Sequence, residues 1–128
     1  MGLPERDVVD HFRRWLETDG WQVDLEVAWV DITATRDDHT LVAEAKGTTT
    51  SAGLDVDTAY GQLLRRMRDD DSTAYALVVP REAVRAALRV PEHVLAKLST
   101  SIFSVDDDGT VRFEGGRSAV VRRDRGRA

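Results

Sequence analysis

The amino-acid sequence predicts an α/β domain, and three observations carry the prediction. A helical-period apolar stripe opens the chain, three strand-period segments follow at close spacing, and a second helical stripe leads into a short apolar run ended by proline. In order these read α-β-β-β-α-β, with two short helices and a hairpin after them. Within Glu5 to Thr18, Val8, Val9, Phe12, Trp15 and Leu16 recur at helical spacing, and Asp19-Gly20 supplies the stop. The segment WQVDLEV, residues 21 to 27, alternates Trp21, Val23, Leu25 and Val27 with Gln22, Asp24 and Glu26, the period-two pattern of a half-buried strand. Two further strands, at about 28 to 35 and 40 to 47, are separated by the polar Arg36-Asp37-Asp38-His39, which has the length of a hairpin loop.

Residues 47 to 53 read as a loop. A helix over 55 to 69 then sets Val56, Ala59, Tyr60, Leu63, Leu64 and Met67 on one stripe. Gly61 interrupts that stripe at a cost of about 1 kcal/mol relative to alanine, which suggests another backbone passing close by. TAYALVVP, residues 73 to 80, reads as a buried strand. REAVRAALRV and PEHVLAKLS follow as short amphipathic helices, the second opening on proline as a first turn permits. SIFSV and TVRFE form a last hairpin turned by DDDG. No repeat or linker divides the chain, so one domain is expected over 1–128. Its core covers about 5–80, the C-terminal helices and hairpin about 81–121, and a basic tail 122–128.

A chain of 128 residues is long enough to bury one core. No apolar run approaches the roughly 18 residues of a membrane span, so no membrane partner is expected. The opening MGLPERDVVDHFRRW places acids where a signal peptide needs its apolar stretch, and a cytoplasmic location is the expectation. The absence of cysteine excludes disulfides, thiolate metal sites and cysteine nucleophiles. A net charge of −5 excludes a surface that coats duplex DNA by charge alone, and leaves local basic patches such as RRMR at 65 to 68 and the arginine-rich tail.

The hairpin carries the candidate chemistry. Whether its loop holds two residues or four, facing residues have numbers that sum to 75, which sets Asp31 opposite Glu44. Alternation then puts Asp31, Glu44 and Lys46 on one face, and Val30, Ile32, Ala34, Leu41, Ala43 and Ala45 on the other, core face. Like charges directly across a strand pair destabilise it unless something compensates. A divalent cation would do so, and two carboxylates beside an amine are what metal-assisted phosphodiester cleavage requires. The spacing also fits a plainer arrangement, in which Lys46 and solvent neutralise two acids on an exposed sheet face.

The element order and Val30-Asp31…Glu44-Ala45-Lys46 resemble the PD-(D/E)xK nucleases of the restriction-endonuclease-like fold. That family's core is α-β-β-β-α-β, with an acid on the second strand and E-x-K on the third. Valine stands at 30 where the motif has proline, a departure the family tolerates. The stretch PERDVVDHFRRWLETDGWQV is similar to the first helix and strand of Holliday-junction resolvases and Mrr-like restriction enzymes. The resemblance implies a mixed central sheet flanked by helices, and Mg²⁺ (or Mn²⁺) as cofactor on Asp31 and Glu44. It implies Lys46 as a further catalytic residue, Glu5 as a helix-one glutamate of the site, and Gln62 or Tyr60 on the helix after the motif. Tyr60 also falls on the apolar stripe, where packing accounts for it, and an acid at a helix start such as Glu5 needs no catalytic role. Arg65 and Arg66 are the candidate contacts to nucleic acid, although a solvated helical face explains them equally well.

Other chemistries fit worse. Lys46-Gly47-Thr48 lacks the order of a phosphate-binding loop, no G-x-S-x-G is present, and His11, His39 and His93 lie on separate elements without ligand spacing. The reading is a metal-dependent nuclease acting on phosphodiester bonds, with DNA expected before RNA as partner and a homodimer expected where both strands are to be cut. The alternative is a non-catalytic member of the same fold that binds nucleic acid or a protein.

Overall fold

The computed structural model describes residues 2–25 and 31–117, with Asp31 described in its backbone only. The elements run α1 (Glu5–Thr18), β1 (Gln22–Leu25), β2 (Asp31–Arg36), β3 (His39–Ala45), α2 (Ala52–Leu64), β4 (Thr73–Pro80), α3 (Val84–Ala87), α4 (Glu92–Lys97), β5 (Thr100–Val105) and β6 (Val111–Gly116). A 3-10 turn at Arg81–Ala83 leads into α3. Six strands form one sheet in the order β1-β2-β3-β4-β5-β6. The first three are antiparallel, β3, β4 and β5 are mutually parallel, and β6 is antiparallel to β5. This mixed sheet flanked by helices is consistent with the restriction-endonuclease-like core that the resemblance implied. Residues 26–30 and the basic tail fall outside the described residues, and so does the far end of the strand expected over 21 to 27.

Each face of the sheet has its own cover. Val8, Val9, Phe12 and Leu16 of α1 pack on Ile32, Ala34, Leu41, Ala43, Ala45, Ala76 and Val78. The alanines on β2, β3 and β4 leave room for the α1 side chains, and Phe12 reaches across to Phe103 of β5 with ring centroids 5.2 Å apart. On the opposite face, Val56 and Ala59 of α2, Ala87 of α3 and Leu95 of α4 meet Leu77, Val79 and Ile102. Leu63 closes over Val42 and Tyr75 beside them.

Three sequence expectations change here. The face of the hairpin that carries Glu44 is not polar and solvated, because Val42 lies buried on it beneath α2. The second helix starts earlier and ends sooner than 55 to 69. Leu64 accordingly points outward at 49% exposure instead of joining the stripe. Among the described residues no other backbone approaches Gly61: a Cβ built there would meet only the Arg65 side chain, at 3.6 Å.

Candidate functional site

The β2–β3 hairpin turns through Asp37-Asp38, with Asp37 at φ 56°, a left-handed conformation that aspartate tolerates. The two-residue loop sets the register Asp31↔Glu44, Ile32↔Ala43, Thr33↔Val42, so the two candidate carboxylate positions are direct cross-strand partners. The Asp31 side chain lies outside the described residues. Glu44 sits on the face covered by α2 and is only 2% exposed, next in the sheet to Leu77 of β4. A carboxylate buried to this degree needs a compensating charge, and Arg66 supplies one: its Nη1 lies 3.2 Å from Glu44 Oε1. Arg66 is therefore seated on Glu44 while remaining part exposed. It follows the end of α2, in the turn after Leu64, and directs its guanidinium back to β3.

The sheet continues the site at the C-terminal end of β3. The Lys46 amide donates to Val78 O at 3.0 Å, so the chain is still held against β4 one residue beyond the strand. At Gly47 it then crosses the start of α1 so closely that a Cβ would lie 2.3 Å from the Glu5 amide nitrogen and 2.8 Å from Glu5 Cα. Thr48 locks the crossing: its amide donates to Leu3 O at 2.7 Å, and its Oγ1 accepts from the Leu3 amide at 3.0 Å. The same hydroxyl donates to Glu82, just past β4.

Glu5 is thereby set beside Lys46. Burial pushes the Glu5 carboxyl above its usual range, the Lys46 ammonium pulls it back, and the negative charge of Asp55 pushes it up again. Asp55, in the first turn of α2 and bonded to the Thr49 hydroxyl, is a neighbour of the site that sequence reasoning missed. Its closeness to Glu5 arises from packing two helix starts at one sheet end, and only the loop-like spacing between Lys46 and α2 hinted at it.

Of the α2 candidates, Tyr60 is a structural residue: its hydroxyl donates to Ala87 O at 2.6 Å and ties α2 to α3, and burial raises its pKa to about 12. Gln62 lies one helical turn before Arg66, with a buried Oε1 that has no hydrogen-bond partner among the described residues. Arg65 is exposed and makes no ion pair among them. The structure thus gathers Glu44 with Arg66, and Glu5 with Lys46 and Asp55, around the C-terminal half of β3, and leaves Arg65 and Tyr60 apart from them.

The donor chemistry at the hairpin is that of a hard cation. Mg²⁺ takes one or two carboxylates and keeps most of its waters, so Asp31 and Glu44 suffice in kind and number. Among the described residues, which exclude the Asp31 side chain, no three His, Asp or Glu groups form a ready-made metal cage. No helix among them is long and apolar enough to cross a membrane.

No protein-family model matches the chain, and no curated protein does. Solved structures match in fold. An XisH family protein from Nostoc punctiforme superposes with a TM-score of 0.56 at 22% identity, over 85% of this chain and 97% of that one. An fdxN element excision controlling factor protein from Anabaena variabilis gives 0.58 at 21% identity, over 84% and 98%. The chain shares its fold, over nearly the whole length of those proteins, with XisH family and excision-controlling-factor structures.

Proposed function

We propose that this protein is a metal-dependent nuclease that hydrolyses phosphodiester bonds, with DNA as the preferred substrate. The observation that carries the reading is Glu44: a carboxylate buried directly across from Asp31, two residues before a lysine held beside a second, half-buried glutamate. One structural neighbour is named an excision controlling factor, which points toward DNA.

In this reading Asp31 and Glu44 hold Mg²⁺ (or Mn²⁺). The ion, when bound, stabilises the charge that develops on the phosphate. Lys46 orients the attacking water and exchanges a proton with it, which a compact ammonium can do and a permanently charged guanidinium cannot. Glu5 acts through Lys46: its carboxylate, beside the ammonium at this end of β3, fixes it in place. Gln62 offers its buried Oε1 as a further acceptor for a water.

A homodimer would bring together two sites for cutting two strands. The rival reading, a non-catalytic binding module, is favoured by one observation, the guanidinium of Arg66 already seated on Glu44.

Cleavage of plasmid, linear, branched and single-stranded substrates with Mg²⁺ and Mn²⁺ tests the proposal. Asp31→Ala and Glu44→Gln are expected to abolish cutting, and Lys46→Arg to lose most of it while still binding metal. Wild-type cutting by Asp31→Ala, or no cutting by the parent protein on any substrate, refutes it.

A further inference from the structure

We propose that the groove between α3 and the β5–β6 hairpin holds the phosphate backbone of the nucleic acid strand, away from the point of cleavage. The inference rests on the nuclease reading for its substrate class, but the binding itself needs no catalysis. The groove has a volume of about 870 Å³ and is lined by Arg81, Arg85 and Arg89 from the α3 segment and by Arg112 from β6. The three arginines of this segment come from the 3-10 turn, from α3 and from the turn after it, and all line the same groove. A row of guanidiniums matches a row of anions better than a single one, and each planar fork suits the paired oxygens of a phosphate.

The two acids of the groove are engaged. Asp106 faces Arg112 at 3.1 Å and Arg81 at 3.6 Å, and Glu114 accepts from the Ser104 hydroxyl at 2.6 Å. Arg89 lies 3.9 Å from the exposed Asp57, and Arg85 makes no ion pair among the described residues. Four arginines against Asp106, Glu114 and the neighbouring Asp57 leave a modest positive excess in the groove of a chain whose net charge is −5.

Two further features favour a nucleic acid over an acidic peptide. Val84 and the part-exposed Leu88 line the same groove, giving apolar contact for sugar and base faces between the phosphates. The groove also opens where the candidate site ends. Arg81 directly follows β4, its neighbour Glu82 accepts the Thr48 hydroxyl, and Thr48 is two residues past Lys46. The C-terminal ends of the parallel strands β3, β4 and β5 therefore form one edge that runs from Lys46 to the mouth of the groove, where open α/β sheets receive ligands.

The test is fluorescence anisotropy with labelled single-stranded and duplex oligonucleotides in EDTA, across a salt series. Relative to the parent protein, Arg85→Ala combined with Arg89→Ala is expected to weaken binding about tenfold. It should also lower the log-affinity versus log-salt slope by roughly 1.4 on single strands to 1.8 on duplex, the loss of two phosphate contacts. Arg85→Lys should keep the slope, because an ammonium still displaces a counterion. The single charge reversal Arg85→Glu serves as a second variant if the double one melts early.

Affinity and slope unchanged in both variants overturn the proposal. So does a parent protein that binds no oligonucleotide, or competition by polyglutamate as strong as by DNA. The two readings separate cleanly. Groove-dependent binding without cleavage in Mg²⁺ sinks the nuclease and keeps the groove, whereas cleavage by a parent and groove variant of equal affinity sinks the groove alone.

Discussion

Gly47 and Gly61 make opposite predictions from the same substitution. At Gly47 an added methyl would lie 2.3 Å from the Glu5 nitrogen and 2.8 Å from both Glu5 Cα and Leu3 O, all backbone atoms that cannot rotate away. Ordinary contact begins near 3.4 Å, so β3 and the start of α1 must part by about 1 Å. Overpacking of this kind costs about 1–3 kcal/mol, and stretching the 2.7 Å Thr48–Leu3 hydrogen bond adds about 1 kcal/mol. Gly47→Ala should therefore destabilise by about 2–4 kcal/mol. Gly61→Ala finds only a flexible arginine at 3.6 Å, and removing a mid-helix glycine should stabilise by about 1 kcal/mol. For a domain of this size each kcal/mol is about 4 °C, so the two variants should melt about 12–20 °C apart. Because Gly47 also sets Glu5 against Lys46, the same displacement should lower cleavage on the order of 10²-fold in the surviving folded fraction. A Gly47→Ala protein within about 0.5 kcal/mol of the parent in urea unfolding would refute the close crossing.

Two other outcomes follow from charges at the site. The raised pKa of Glu5 means that the native state binds its proton more tightly than the unfolded chain does. Its ionisation therefore destabilises the fold as pH rises through and above the ordinary value of 4.5. Glu5→Gln should then melt higher than the parent at neutral pH, with the gain shrinking as pH falls below that value; a gain that grows toward acid pH contradicts the assignment. Arg66→Met leaves the Glu44 carboxylate buried without its guanidinium. The loss in EDTA should be about 2 kcal/mol, less than the ~3–5 of a fully buried pair because Arg66 is 26% exposed. Mn²⁺ should then raise the melting temperature of the variant more than that of the parent, and equal shifts would place the ion away from Glu44.

The register of the hairpin was legible because alternation and loop length both constrain it. A two-residue and a four-residue loop between the same strands give the same pairing, so the structure's choice of Asp37-Asp38 left Asp31↔Glu44 intact. The second face of β3 was misjudged for a reason visible in its own residues. Leu41, Val42, Ala43 and Ala45 make a near-continuous apolar run, the mark of a strand covered on both sides, as the parallel partner β4 requires. Arg66 could not be placed by helical periodicity, because Leu64 and Met67 extend the apparent stripe past the true end of α2, and a residue in the following turn points where no helical wheel puts it. Asp55 and the groove arginines depend on which elements pack together, and no local pattern reports that.

Glu44 is the position where the needs of the fold and of a site diverge. Its same-face neighbours on β3 and β4, Val42 and Leu77, are both buried and apolar, and a leucine at 44 would suit that face of the sheet. Replacing a buried ion pair with apolar side chains is often neutral or stabilising, so Glu44 with Arg66 is a poor way to strengthen this sheet. Under the proposed reading the pair is, however, a workable resting state for a carboxylate that would exchange one cation for another. Arg66 is part exposed and sits beyond the helix end, so it can swing outward without unwinding α2. Glu44 keeps a compensating charge whether the guanidinium or a divalent ion is present. Loading then trades one ion pair for another instead of uncovering a bare buried charge. Under the proposed metal-dependent reading, that trade would let a site assembled on a central strand stay folded when empty and still take a divalent ion.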